Sequence, residues 1–352
     1  MAMPTPLKET ITVTKVPDNR LRALLREHEI PLSVEEVKKI RKLLGRDPTF
    51  TELTIFSIQG SEHCSYKSTK RHLRTLPTAG KHIIVPPGED AGIVEIARDK
   101  KRRFGMVIAH ESHNHPSQVV PFEGAATGIG GCVRDVLCMG AQVVAVADPL
   151  RFGDVKRSQS QFIAEEVRGG IAGYGNPIGV PTIAGDVYFD KGFNDNCLVN
   201  VVALGVLAED EIIHSRAPKG ANGYDIIIVG KPTDNSGMGG AAFASAELKE
   251  SEKEKNKSAV QDPNPFLKRQ IMVATYDLFE ILKKKNLLNN FRGAAIANYT
   301  LCTSCHIGFV WQGNNFNFGP EDNVDCLACH DTTGTYKKFP LPGGHPAYLE
   351  NF

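Results

Sequence analysis

The stretch GMVIAHESHNHPSQVVPFEGAATGIGGCVRDVLCMGAQVVAVAD, residues 105–148, decides the fold class. It opens with an apolar run and passes through a polar cluster. It continues into a segment, 124–140, whose apolar residues recur at helical spacing. A second apolar run, QVVAVAD at 142–148, closes it. Strand-like runs that flank a helix predict mixed α/β packing.

The same alternation continues on both sides of this stretch. HIIVP and GIVEIA precede it as predicted strands, and a helix near 160 is followed by the strand-like runs VPTIAG, CLVNVVALGVLA and DIIIVG. Further helical patterns lie near 238–251 and 264–285. Ser33 and Glu36 form a capping-box pattern that predicts a helix over 34–44, whereas residues 1–32 lack a clear pattern and are expected to be irregular.

The length of 352 residues allows two or three domains. We expect an N-terminal arm and helix at 1–44, a mixed-sheet αβ domain at 45–165 and an α+β domain at 166–298. The segment 299–352 changes to Gly, Asn, Asp and aromatic residues, and it is expected to be an irregular Cys/His-rich tail.

Charge and hydropathy exclude several classes of partner. The 41 Lys and Arg residues nearly balance the 40 Asp and Glu residues, so no global basic field favours nucleic acid. No apolar run approaches the roughly 18 residues that span a bilayer, and the first residues lack a signal-peptide core. We therefore expect a cytoplasmic protein that binds neither nucleic acid nor membrane.

Four polar or glycine-rich segments predict a site for a phosphorylated ligand with Mg²⁺. In the cluster His110–Pro116, Glu111 is a hard oxygen ligand and a neighbouring histidine can act as a base; the alternative is a surface turn. Gly124–Gly131 is predicted to open a helix whose free amides hold phosphate, with Arg134 and Asp135 downstream; the alternative is tight packing. The glycines of 234–240 and the polar segment 61–66 complete the set.

Three sequence motifs carry a family resemblance: SEHCSYKST at 61–69, ESHNHPSQVVPFEGAATGIGGCVRDVLCMGA at 111–141 and DNSGMGGAAFAS at 234–245. Residues 33–298 resemble the synthetase subunit of phosphoribosylformylglycinamidine synthase. The resemblance implies ATP-dependent conversion of formylglycinamide ribonucleotide to the amidine, with ammonia from a glutaminase subunit and a small bridging subunit in the complex. In the family the sheets of two αβ domains pack into a shared barrel, so we expect a partner chain to replace the missing half in a homodimer that forms through the sheet of the N-terminal domain.

The resemblance assigns roles by position. The implied residues are His63 and His113 as catalytic histidines, with His113 as proton acceptor; Tyr66 for ATP; Glu111 and Asp135 for Mg²⁺; and Ser112, His113, Asn114, His115, Arg134 and Gln261 for substrate. Two positions depart from the family, since Ala109 replaces a lysine that contacts ATP and Phe291 replaces a metal-binding aspartate. The family's synthetase is duplicated and this chain matches only the first copy, so weak or lost activity is expected.

The tail, residues 299–352, carries a separate set of candidate metal or haem ligands. It contains two C-x-x-C-H motifs, formed by Cys302, Cys305, His306, Cys326, Cys329 and His330. The motifs resemble haem c attachment in multihaem cytochromes of the octahaem tetrathionate reductase type, with Lys337, Lys338 and His345 as candidates for the opposite iron face. Zinc is the alternative, because two C-x-x-C pairs about 20 residues apart also suit a zinc ribbon. The competing functions are therefore a redox fragment and a non-catalytic fusion remnant.

Overall fold

The structure is a computed structural model. It describes residues 10–215 apart from Thr14 and Glu29, short stretches between 219 and 248, residues 256–282, and two short strands at 311–312 and 315–316. The predicted strand DIIIVG, most of the predicted helix at 238–251, Phe291 and the Cys/His motifs of the tail lie outside the described residues.

Chain contacts divide the protein into two compact units. The first unit comprises residues 1–76 and 239–247, and the second comprises 77–238 and 248–352. The domain boundaries expected near 45, 165 and 298 stay predictions.

The described helices follow the chain in this order: α1 (Asp18–Glu27), α2 (Val34–Leu44), α3 (Phe50–Gln59), α4 (Glu62–Ser65), α5 (Lys70–Leu73), α6 (Asn114–Val119), α7 (Pro121–Cys138), α8 (Ser158–Ile178), α9 (Gly240–Phe243) and α10 (Pro265–Leu282). The strands are β1 (Ile83–Val85), β2 (Gly92–Arg98), β3 (Arg103–Ser112), β4 (Gln142–Phe152), β5 (Thr182–Phe189), β6 (Leu198–Ala208), β7 (Trp311–Gln312) and β8 (Asn315–Phe316).

The first unit is helical, and its capping box is confirmed. The hydroxyl of Ser33 accepts a hydrogen bond from the backbone N–H of Glu36 at 3.2 Å, and α2 ends at Gly45 with φ +71°. The expectation of an irregular segment up to residue 32 was wrong, because α1 occupies part of it. Leu21 and Leu25 lie one helical turn apart and are buried in the same apolar cluster as Val37 of α2.

The second unit contains the predicted mixed sheet. Its six strands follow the order β1-β2-β3-β6-β4-β5, and only β4 and β5 are parallel. Helices α7 and α8 pack together, and the side chains of Ile129 and Val136 from α7 join Val107 and Val201 of the sheet in one core. The strands predicted from HIIVP through CLVNVVALGVLA are confirmed, as are the helices near 160 and 264–285.

Part of the sheet surface stays uncovered. All eight residues of the edge strand β5 are exposed, and they include Ile183 and Val187. Ile108 of β3 and Val144 of β4 are also exposed. Among the described residues, no helix has the length and apolar character needed to cross a membrane.

Candidate active site

The polar cluster lies where β3 passes into α6. His110, Glu111 and Ser112 are the last residues of the strand, which is longer than the predicted GMVIA run, and His113 is the N-cap of α6. Side chains alternate along β3, so Ser112 is exposed while Glu111, on the side of buried Ala109, is half-buried. The turn therefore places Glu111 and His113 at one end of the strand.

The start of β6 holds this turn in place. The backbone N–H of His113 donates to the carbonyl oxygen of Val199 at 2.8 Å, and the side-chain oxygen of Asn114 accepts from the N–H of Val199 at 2.9 Å. One helical turn later, the side-chain oxygen of Gln118 accepts from the N–H of Cys197 at 2.8 Å. Asn114, predicted as a substrate contact, thus has a structural partner in the protein.

The imidazole of His113 is held by α7. Its Nδ1 atom lies 2.5 Å from the carbonyl oxygen of Gly124. A carbonyl oxygen only accepts, so the proton is assigned to Nδ1 and Nε2 becomes the nitrogen that can accept a proton. This arrangement suits a general base. The neighbouring His115 has a weaker contact, with its Nδ1 atom 3.5 Å from the side-chain nitrogen of Asn196.

The glycine segment 124–131 does not open a helix, so that expectation was wrong. Helix α7 begins at Pro121, and the N–H of Gly124 already donates to the carbonyl of Val120 at 2.8 Å. A Cβ at Gly130 would lie 2.6 Å from the hydroxyl oxygen of Tyr174 on α8. The glycines permit close approach of neighbouring groups, which is the packing alternative, and they do not form a row of free amides.

Farther along α7, Arg134 and Asp135 belong to a charged group in the interior. Asp135 is only 1% exposed, and burial lowers the pKa of Arg134 while the charge of Asp135 opposes that shift. Lys268 of α10 is buried beside them, and burial followed by repulsion from Arg134 lowers its pKa to about 7. The sequence analysis missed Lys268, although a lysine inside the apolar pattern of 264–285 was a signal that could have found it.

His63 and Tyr66 belong to the first unit, whereas the other predicted site residues belong to the second. The backbone N–H of His63 donates to the hydroxyl of Ser245 at 3.0 Å. Tyr66 follows α4 in the left-handed region, with φ +50°, and its side chain is exposed. The carboxylate of Glu62 stabilises this loop because it accepts hydrogen bonds from the backbone and hydroxyl groups of Ser68 and Thr69 at 2.5–3.0 Å.

Gln261 lies against the second glycine segment. Gly237 has φ +76°, and a Cβ at this position would collide with the side chain of Gln261. The N–H of Gly237 donates to the carbonyl of Ser258 at 2.9 Å, which ties the glycine turn to the segment that precedes α10. The structure therefore joins Gln261 to the glycines that the sequence analysis singled out.

Comparisons with known proteins show which protein families this region resembles. Residues 88–207 match the model described as AIR synthase related protein, N-terminal domain, and residues 21–67 match the model of the formylglycinamide ribonucleotide amidotransferase linker domain. The matched residues 88–207 contain most of the sheet, α7, α8 and the His113 turn.

Relatives of the chain confirm the resemblance seen in the motifs. The chain is 52% identical to phosphoribosylformylglycinamidine synthase subunit PurL of Methanothrix thermoacetophila, over 88% of this chain and 40% of that protein. It also matches T. maritima PurL complexed with FGAR (TM-score 0.59, 35% identity, 71% of this chain and 38% of that chain). T. maritima PurL complexed with ATP gives a TM-score of 0.54 at 31% identity, over 71% of this chain and 36% of that chain. The chain thus spans about two fifths of these relatives or less.

Within the residues that match the AIR synthase related model, Ala109 has a structural role. Its side chain is buried, and its carbonyl oxygen accepts a hydrogen bond from the thiol of Cys132 at 3.2 Å. Burial raises the pKa of the Cys132 thiol to about 12, which disfavours the reactive thiolate and accords with a packing role.

The predicted Mg²⁺ ligands fit the metal in type. Glu111 and Asp135 supply the carboxylate oxygens that Mg²⁺ prefers, and Mg²⁺ commonly takes only one or two carboxylates together with phosphate oxygens and water. The described part of the chain contains no group of three or more His, Cys, Asp or Glu side chains placed to bind a metal.

Proposed function

We propose that the chain catalyses the ATP-dependent conversion of formylglycinamide ribonucleotide to formylglycinamidine ribonucleotide in purine biosynthesis, with weak activity. The observation that carries this proposal is the His113 turn, in which Nδ1 of His113 contacts the Gly124 carbonyl and Glu111 lies two residues earlier at the end of β3, in a chain similar to PurL. Activity in the cytoplasm accords with this reaction. The alternatives, a redox fragment and a non-catalytic remnant, rest on the tail and on the short match to the relatives.

The reaction requires a general base and charged groups positioned around the transferred phosphoryl group. The amide oxygen of the substrate attacks the γ-phosphorus of ATP, and ADP leaves. Ammonia then adds to the activated carbon, loses a proton to Nε2 of His113, and displaces phosphate to give the amidine. Mg²⁺, when bound by Glu111 and Asp135, would neutralise charge on the triphosphate. We assign Ser112, His115, Arg134 and Gln261 to substrate binding. Tyr66 is assigned to ATP binding, and His63 is assigned to catalysis.

An assay of the full chain tests the reaction. Formylglycinamide ribonucleotide, ATP and ammonium chloride should yield ADP and the amidine slowly. A single lost contact that stabilises transition-state charge commonly costs about 10²–10³ in rate, and the aspartate replaced by Phe291 is one such contact. His113→Gln should abolish the product, while the control Gly131→Ala should retain it. Full turnover would show that the expected loss was wrong, and no product would contradict the proposed reaction.

Nucleotide binding is tested separately. Calorimetry with Mg-ATP should show weaker binding for Glu111→Gln and Asp135→Asn than for the parent. Glu165→Gln, an exposed carboxylate on α8, serves as the matched control and should bind as the parent does. Equal affinity in all four proteins would refute the assignment of Glu111 and Asp135.

We assign three kinds of partner protein. A glutaminase subunit would supply ammonia, and a small bridging subunit would join the complex. A second copy of the chain would cover the exposed sheet residues Ile108, Val144, Ile183 and Val187, since a contiguous apolar surface favours association. Sedimentation should detect a homodimer that Val187→Arg dissociates, and a parent that sediments as a monomer would contradict this assignment.

The tail carries a second candidate activity. The two C-x-x-C-H motifs favour haem c, and four clustered cysteines in a reducing compartment favour Zn²⁺ in tetrahedral sulfur coordination. For protein made in the cytoplasm, we expect no covalent haem, because attachment takes place outside that compartment. A Soret band that survives acid–acetone extraction would contradict this expectation, and metal analysis then separates zinc from an empty site.

A further inference from the structure

The contacts of His113 point to two residues that position it. We propose that Gly124 and Gly128 of α7 are positioning residues for His113, with the Gly124 carbonyl setting the tautomer and the missing side chain of Gly128 leaving room for the imidazole. The inference rests on the proposed function only in that His113 acts there as proton acceptor. Both glycines act through His113 and are not assigned a contact with the substrate.

The tautomer depends on the Gly124 carbonyl. This oxygen lies 2.5 Å from Nδ1 of His113. The hydroxyl of Thr127 lies 3.3 Å from the same oxygen, but it is closer to the backbone carbonyl oxygen of Glu123, at 2.7 Å. A carbonyl oxygen has two lone pairs, so it can accept a hydrogen bond within the helix and a second one from the imidazole. Because it cannot donate, the contact is satisfied only when Nδ1 bears the proton.

The position of the ring depends on Gly128. A Cβ at this residue would lie 3.1 Å from the Cβ of His113, 3.4 Å from its Cγ and 3.7 Å from its Nδ1. Any side chain would therefore press on the imidazole at its attachment point. The ring would have to move by a few tenths of an ångström and would lose its alignment with the Gly124 carbonyl, to which it is anchored by a short contact.

The same helix offers a matched control. Gly131 lies less than one turn beyond Gly128, and a Cβ there would meet nothing within 4 Å. Gly128→Ala and Gly131→Ala change the same atoms in the same helix and give the same gain in helix propensity. Only the first change reaches His113.

The tautomer is measured directly in the full chain. With ¹⁵N-labelled histidine, long-range ¹H–¹⁵N spectra distinguish an imidazole protonated on Nδ1 from one protonated on Nε2, and His113→Gln identifies the signal of His113. We expect the parent and Gly131→Ala to show the Nδ1–H form, and Gly128→Ala to lose it or to mix the two forms. A parent protonated on Nε2, or a Gly128→Ala variant whose His113 signal is unchanged, overturns the proposal.

Two further measurements distinguish a positioning role of the glycines from an effect on folding and from a failure of the proposed reaction. If Gly128→Ala is unstable, it should cost less stability in a His113→Gly background than in the parent, because the Cβ that it crowds is then absent; an undiminished cost counts against the proposal. With active parent protein, Gly128→Ala should lower kcat by about 10²-fold and leave KM for ATP unchanged. An inactive parent would refute the proposed reaction, while the tautomer would still decide the roles of Gly124 and Gly128.

Discussion

The side-chain oxygen of Asn114 accepts a hydrogen bond from the backbone N–H of Val199 at a distance of 2.9 Å. Val199 is fully buried, so its N–H has no access to solvent as a substitute partner. The contact joins the turn that carries His113 to the first residues of β6. An asparagine predicted to bind substrate is therefore also part of the scaffold that positions the candidate base.

Removal of the Asn114 side chain should destabilise the protein. In Asn114→Ala the buried N–H of Val199 loses its acceptor, which costs about 1–3 kcal/mol. Asn114→Asp keeps an oxygen at the same place and should lose less. Urea unfolding of the three proteins measures the difference, and equal losses for Ala and Asp would show that the hydrogen bond contributes nothing.

Two adjacent glycines of α7 should respond in opposite directions. Gly130→Ala places a methyl group 2.6 Å from the hydroxyl oxygen and 2.7 Å from Cζ of Tyr174, and this overpacking should cost about 1–3 kcal/mol. Gly131→Ala meets no neighbour and should stabilise the helix by about 0.5–1 kcal/mol. In a Tyr174→Leu background, Gly130→Ala should cost less, and an undiminished cost would exclude Tyr174 as the cause.

Lys268 should make the stability of the protein depend on pH. Burial lowers its pKa in the folded protein from 10.5 to about 7, so between these values the unfolded chain binds the extra proton and stability rises with pH. Lys268→Met should remove this rise and, at pH 7, stabilise the protein by about 1–3 kcal/mol. The exposed Lys156→Met is the control. Parallel pH profiles for Lys268→Met and the parent would disprove the effect.

Glu62 should hold the loop that contains Tyr66. Hydrogen bonds from Ser68 and Thr69 lower the pKa of Glu62 from 4.5 to about 2, so its stabilising effect is complete above pH 4.5 and is lost as the pH falls toward 2. Hydrogen-exchange protection of the Ser68 and Thr69 amides should fall over this range. Glu62→Gln should lower that protection at neutral pH, whereas Glu35→Gln, an exposed residue of α2, should leave it unchanged.

Features with a local cause could be predicted from the sequence. The capping box of Ser33 and Glu36 and the αL residue Gly45 define α2, because both ends of a helix are set by residues within a few positions. The strands and α7 followed from apolar periodicity, which repeats within each element. The long motifs around His113 also sufficed to indicate the PurL resemblance, since order and spacing of residues are properties of the sequence itself.

The tertiary structure decided what depends on contacts between distant segments. Leu21 and Leu25 form a helix that packs in the cluster of Val37, and no local pattern in a charged segment indicates that contact. Lys268 lies beside Arg134 and Asp135 only because α10 packs against α7. The glycines of 124–131 resemble a phosphate-binding segment in the sequence, but the structure places Ser117, His113 and Tyr174 where side chains of Gly124, Gly128 and Gly130 would be. A glycine can either expose its amide to a phosphate or allow close packing, and only the neighbouring atoms in the fold determine which role it has.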